Sequence, residues 1–278
     1  MPLTGIPLIV IATFAGLLIG SFLNVCVFRL PRDLSVAHPR SFCPGCEKMI
    51  AWYDNIPLLS FVLLRGRCRY CRDFIPWRYP LVELSTAIAF GLCFAAFGQS
   101  AKGWSAEGVK YAVLSAILIE LIASDAETRI LPDEFTLGGT LLGLIFSWFA
   151  PMDPFILSFL IPPSYAPHWR WLAESATSAF VGGGLIWFLA FAYEKIRHRD
   201  GMGLGDVKMI AMLGAFLGLP LCLLTLTTAS LAGAVGGIIY VKATHKDMST
   251  YELPFGSFLG GAALLIMLVT QVWPSLHH

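Results

Sequence analysis

The chain has 278 residues, 56% of them hydrophobic and only 13% charged, with a net charge of +1 at neutral pH. Soluble domains carry roughly 25% charged residues, so the composition excludes an ordinary soluble globule and points to an all-α polytopic membrane protein. The near-zero net charge says nothing about partners.

Met1 to Phe28 contains no charged side chain. A secretory signal would show a basic start and a small-residue cleavage site. Neither is visible, so the stretch reads as a retained transmembrane helix. A span needs about 20 apolar residues, and eight candidates follow: roughly 6–28, 79–98, 109–125, 135–151, 172–193, 205–218, 220–241 and 254–275. These are continuous apolar runs, and a membrane β-barrel would alternate instead. With the N-terminus outside, the inner segments 29–78, 126–134, 194–208 and 242–253 hold 16 of the 19 Lys and Arg. That is the bias expected of cytoplasmic loops. The expected organisation is a first transmembrane helix at 1–28, a cytoplasmic insert at 29–78, and a seven-helix bundle at 79–278. The glycine pairs Gly138-Gly139, Gly236-Gly237 and Gly260-Gly261 and the run Gly182–Gly184 read as sites of close helix contact.

The insert carries two CxxC pairs, Cys43 with Cys46 and Cys68 with Cys71. Each pair places two thiolates on one turn, and two such turns complete a tetrahedral Zn²⁺ site. Disulfides are the alternative, but cytoplasmic thiols stay reduced. Four thiolates close the site, so its expected role is structural. Cys26, Cys93 and Cys222 sit in apolar helices and read as small core residues. The arginines Arg65, Arg67, Arg69, Arg72 and Arg78 read as positive-inside bias, with contact to the lipid bilayer. A zinc ribbon tied to the membrane at both ends is poorly placed for nucleic acid, and none is expected. The six histidines form no ligand-spaced set.

Among the acids near the inner surface, Asp125 ends the third candidate span and Asp206 opens the sixth, behind Gly203 and Gly205. A carboxylate at the centre of a membrane helix costs about 2.5–3.5 kcal/mol, less near the interface. Two such groups in one low-dielectric site share a proton. One then activates water while the other polarises a peptide carbonyl, which is aspartic protease chemistry. The glycines would let a substrate strand approach the backbone closely. The bland alternative is a set of interfacial charges capping helices or pairing with Arg129 and Lys208. Asp200 and Glu252 belong to the same inner-surface set. Glu120 lies about 140° around the helix from Asp125, so pairing within the bundle is its expected role.

These residues carry a resemblance. Gly20-Ser21-Phe22-Leu23-Asn24-Val25 followed by Arg29-Leu30-Pro31, then Cys43-Pro44-Gly45-Cys46, Asn55-Ile56-Pro57, Arg65-Gly66-Arg67-Cys68 and Arg78-Tyr79-Pro80 through Glu83 stand in that order. Asp125 with Leu131-Pro132-Asp133, Gly203-Leu204-Gly205-Asp206 with Lys208, and Pro254-Phe255-Gly256 follow. The chain resembles the bacterial type IV prepilin peptidases, leader peptidase/N-methyltransferases among the GxGD membrane aspartyl proteases, over nearly its whole length. The resemblance implies cleavage of prepilin or pseudopilin leaders at the cytoplasmic face of the inner membrane. It also implies methylation of the new N-terminus from S-adenosylmethionine. It makes Asp125 and Asp206 the catalytic pair and assigns Gly203, Gly205, Lys208 and Asp133 to the substrate. It places the methyl donor near Gly66 and Arg67, with Asn24, Arg78 and Glu83; an interfacial Arg78–Glu83 ion pair is the alternative for those two. A peptidase whose zinc insert serves only recognition is the competing reading. A transporter is disfavoured because the acids cluster on one side.

Overall fold

The computed structural model describes residues 6–97, 105–155, 157, 161–162, 164–197, 203–244 and 254–276. They form helices α1 (Ile6–Arg29), α2 (Leu59–Leu63), α3 (Arg78–Phe97), α4 (Ala106–Thr128), α5 (Asp133–Ser147), α6 (Pro167–Arg197), α7 (Leu204–Leu217), α8 (Leu219–Thr244) and α9 (Phe255–Met267). After α9, a π-helical turn, Leu268–Val272, leads into the short α10, Trp273–Leu276. Every one of the eight expected apolar runs is thus helical. Among the described residues, five stretches are long and apolar enough to cross a bilayer: Ile6–Arg32, Arg78–Phe97, Pro167–Ile196, Leu219–Tyr240 and Phe255–Ser275. The chain is a multi-pass membrane protein.

The other three expected runs fall short for identifiable reasons. α4 carries Glu107, Lys110, Glu120, Asp125 and Glu127. α5 and α7 have 15 and 14 residues, below the length that covers about 30 Å of hydrocarbon. Charge and brevity fall on the helices that bear the carboxylates.

The chain divides into two compact units, Met1–Ser124 and Asp125–His278. In the N-terminal unit α1 packs along α3. Gly16 and Gly20 make this possible. A Cβ on Gly20 would lie 2.7 Å from the Cα of Glu83, and one on Gly16 would lie 2.8 Å from that of Ala87. A different face of α1 exposes Val10, Phe14, Leu18 and Phe22 at four-residue spacing, an apolar stripe suited to lipid. Asn24 is buried at the joint, where its Nδ2 donates to the Tyr79 carbonyl at 3.0 Å.

In the C-terminal unit α7 is the central helix, packed against α5 and α6, while α8 packs against α9. Met209, Ile210, Met212, Leu213, Ala215 and Phe216 of α7 are fully or nearly fully buried. Close approach again rests on glycine: a Cβ on Gly214 would stand 2.5 Å from the Ser178 carbonyl oxygen, and one on Gly183 would stand 2.9 Å from Ala211 Cβ. Of the glycines expected at contacts, Gly182, Gly183 and Gly236 meet a neighbour, whereas Gly138, Gly184 and Gly261 face open space.

Candidate active site and candidate metal centre

Asp125 sits in the last turn of α4, 5% exposed. The helix ends three residues later, at Thr128: Arg129 takes a left-handed conformation, φ 58°, and its N–H donates to the Asp125 carbonyl at 2.9 Å. A single left-handed residue closing a helix in this way satisfies a terminal carbonyl. Pro132, extended, then launches α5 at Asp133. Asp206 lies in the first turn of α7, where Gly203 is the N-cap residue and accepts the Asp206 N–H at 3.1 Å. The helix dipole favours a carboxylate at that end.

The two aspartates line one cavity of about 560 Å³. Arg129, Asp133, Lys208, Gly203, Gly205 and Phe255 contribute to the same wall. Lys208 donates to both oxygens of Asp133, at 2.7 and 2.9 Å. The two residues expected to meet substrate therefore meet each other first. Gly205 is pressed against Leu131, whose Cβ would be 3.2 Å from an added methyl.

One partner of the pair was not expected. The backbone N–H and the hydroxyl of Ser257 both donate to Asp125 Oδ2, at 2.6 and 2.8 Å. Gly256 permits it, because a Cβ there would fall 3.0 Å from the Asp125 Cγ. The Pro254-Phe255-Gly256 motif gains a physical role: it brings the start of α9 onto the first carboxylate. Nothing local in the sequence marks Ser257, although it directly follows that motif. Asp200 and Glu252 lie outside the described residues. Glu120 is fully buried and is not among the residues lining the cavity.

In the insert, the ligand sulfurs of Cys43, Cys46, Cys68 and Cys71 all lie within 4.8 Å of one another, with Cys43 and Cys71 at 3.7 Å. A tetrahedral ion with sulfurs at about 2.3 Å has S–S edges of about 3.8 Å, so the cluster has the size a single Zn²⁺ requires. The two turns are also built alike. Cys43 N–H donates to the Lys48 carbonyl and Cys68 N–H to that of Asp73, at 3.0 and 2.8 Å. Glu47 and Arg72 occupy equivalent left-handed positions, φ 57° and 63°. Isolated bridges Phe42–Met49 and Arg67–Phe74 close the two turns. Backbone N–H groups of Cys71 and Tyr70 lower the Cys68 thiol to about 7, which favours the thiolate a metal needs. Burial pushes Cys43 up instead. None of the four forms a disulfide, and Cys26, Cys93 and Cys222 are buried apolar-core residues as expected.

Residues 14–97 match the Bacterial Peptidase A24 N-terminal domain, and residues 112–238 match the Type IV leader peptidase family. A "Type 4 prepilin-like proteins leader peptide-processing enzyme" of Escherichia coli is 36% identical over 278 residues, covering 93% of this chain and 93% of the relative. The chain belongs to the type IV leader peptidase family. A "Prepilin leader peptidase/N-methyltransferase" of Neisseria gonorrhoeae is 34% identical over 263 residues, covering 86% of this chain and 84% of its own. Another so named, from Myxococcus xanthus, is 39% identical over 86% of this chain, which spans 65% of that relative's length. No solved structure matches this chain.

Within the leader peptidase framework, the residues expected around a methyl donor divide into two sets. Gly66, left-handed at φ 66°, backs onto the Phe61 ring, and Arg67 beside it is exposed. Arg78 is half-buried, with its guanidinium over the Tyr79 ring. Asn24 and Glu83 are buried in the frame, 2% and 8% exposed. Glu83 Oε2 accepts the Leu58 N–H at 2.8 Å and so holds a turn in which Leu58 adopts a left-handed φ of 56°. That backbone state carries strain of order 1–3 kcal/mol.

Proposed function

We propose that this chain cleaves the leader of type IV prepilins or pseudopilins through Asp125 and Asp206, then methylates the N-terminus so exposed. The observation that supports it is the pair of aspartates on one cavity. One carboxylate takes a proton from water as the water oxygen bonds to the scissile carbonyl carbon. The other, protonated, gives its proton to the carbonyl oxygen. Collapse of the tetrahedral adduct breaks the C–N bond: the leaving amine takes up the proton held by the pair, and one hydroxyl of the adduct returns its proton to the pair as the carbonyl re-forms, so the aspartates are again left sharing one. Ser257 holds Asp125 in place for this exchange. Gly203 and Gly205 leave backbone open to an extended substrate, and Lys208 with Asp133 orients it.

Zn²⁺ held by Cys43, Cys46, Cys68 and Cys71 ties the two halves of the 29–78 insert, a structural domain between a first membrane helix and the peptidase bundle. S-adenosylmethionine supplies an electrophilic methyl group when bound. Gly66, Arg67 and Arg78 provide its contacts, while Asn24 and Glu83 position them through α1, α3 and the Leu58 turn. The freed amine must lose a proton to act as nucleophile, so cleavage precedes methylation. The Lys and Arg distribution supports an insert and aspartates on the cytoplasmic side, with the N-terminus outside.

The experiment is mass spectrometry of a prepilin incubated with the purified chain and S-adenosylmethionine. Loss of the leader together with gain of one methyl group is expected. A trimmed but unmethylated product would replace this reading with a peptidase whose insert only recognises substrate.

A further inference from the structure

The N-terminal unit has a concavity lined by none of the residues assigned above to cleavage or methyl transfer. It is a groove of about 410 Å³ between α1 and the loop around residues 36–41. Its lower wall is apolar, built by Leu18, Phe22 and Val25 of α1. Leu18 and Phe22 belong to the exposed stripe on α1, a helix long and apolar enough to cross a bilayer. Its opposite wall is mixed: Arg29, Arg40, Trp52 and Asn55 stand among apolar residues such as Val36 and Ile50.

The charge of that opposite wall is uncompensated. Arg29 is 4% exposed, and its guanidinium donates to the carbonyls of Ser35 and Pro39 at 2.7 and 2.6 Å. These acceptors are neutral, so they satisfy the N–H groups and leave the charge. Arg40 is exposed, and its side chain makes no hydrogen bond or ion pair among the described residues. Among the described residues, no acidic one lines the groove. Two cations above an apolar wall, beside a Trp52 that is 72% exposed, match a ligand with an anionic head and a hydrocarbon tail. Tryptophan favours that same boundary of head groups and acyl chains. Of the charges on S-adenosylmethionine only its carboxylate would be matched here; its ammonium and sulfonium would meet two arginines and, among the lining residues, no acid. A free phosphate would use the arginines but not the apolar wall.

We infer that the groove between α1 and the loop around residues 36–41 binds an acidic phospholipid, with its phosphate at Arg29 and Arg40 and an acyl chain along Phe22. The test uses the full chain in detergent, titrated with brominated phosphatidylglycerol or brominated phosphatidylcholine. The readout is the part of the tryptophan fluorescence that disappears in Trp52→Phe. Phosphatidylglycerol should quench that part at least about fivefold more tightly than phosphatidylcholine, the effect expected of one interfacial arginine. Arg40→Gln should erase about fivefold of the preference and leave prepilin cleavage unchanged. Inorganic phosphate should not relieve the quenching. Equal quenching by the two lipids, quenching by neither, or an undiminished preference in Arg40→Gln would overturn the inference. Relief by inorganic phosphate would make the ligand a free anion and overturn the lipid assignment.

Discussion

Asp125→Asn and Asp206→Asn should each abolish leader cleavage, by roughly 10²–10⁴-fold or more, the span over which positioned acids and bases act. Both protons in the mechanism pass through this pair, so neither partner can carry the reaction alone. The change should not unfold the chain. Asparagine keeps the size of aspartate, and its carbonyl oxygen can still accept the N–H and hydroxyl of Ser257 that now reach Asp125 Oδ2 at 2.6 and 2.8 Å. At the start of α7 the lost charge–dipole interaction is worth about 0.3–1 kcal/mol, small against a stability of about 5–15 kcal/mol. Glu120→Gln is the control. That residue is fully buried in the same helix as Asp125 but away from the cavity, so cleavage should persist. A prepilin gel-shift assay with membrane-inserted variants reads all three. Substantial cleavage by either Asp variant would remove the aspartates from the chemistry.

The second large effect concerns the four thiolates. Purified chain should hold about one Zn²⁺, with sulfur ligands at about 2.3 Å by X-ray absorption. Structural zinc contributes about 10–16 kcal/mol to the folding of small metal domains. Cys43→Ser should therefore lower metal affinity by more than the roughly 10–100-fold that outer-shell changes cost. It should also open the 29–78 segment to protease while the membrane helices stay protected. Methyl transfer should fall with the metal, because Gly66 and Arg67 lead directly into Cys68. Cleavage should fall much less, since neither aspartate is a member of the cluster. Retention of full zinc by Cys43→Ser, or a Cys43–Cys46 disulfide in chain kept under cytoplasmic redox conditions, would contradict the assignment.

The helices were legible because each is a predominantly apolar run, and the boundaries differ by only a few residues. Which of them are long enough to cross a bilayer was less legible, because α5 and α7 carry the composition of a span without its length. Glycine pairs signalled close contact but not which side of a helix would make it. Gly138 and Gly261 face open space, while Gly16, Gly20 and Gly214 accept a neighbouring backbone. The aspartates stood out by position at helix ends. Ser257 did not, because its bond to Asp125 spans 132 positions in the chain and no local pattern encodes it. The pairing of Lys208 with Asp133 is equally a product of packing. The likeness of the two cysteine turns lies in backbone hydrogen bonds and left-handed residues. Beyond the cysteines their side chains share little, so the sequence shows only the CxxC spacing.

The central claim is that one chain performs two chemistries on separate residues, with the aspartate pair needed for the first alone. It is tested most directly by giving Asp206→Asn a pilin whose leader has already been removed, together with isotopically labelled S-adenosylmethionine. Mass spectrometry of the pilin N-terminus should then show one labelled methyl group, added at close to the wild-type rate, while intact prepilin given to the same variant stays uncut and unlabelled. A pre-cleaved pilin that stays unmethylated with Asp206→Asn yet is methylated by the wild type would contradict the account.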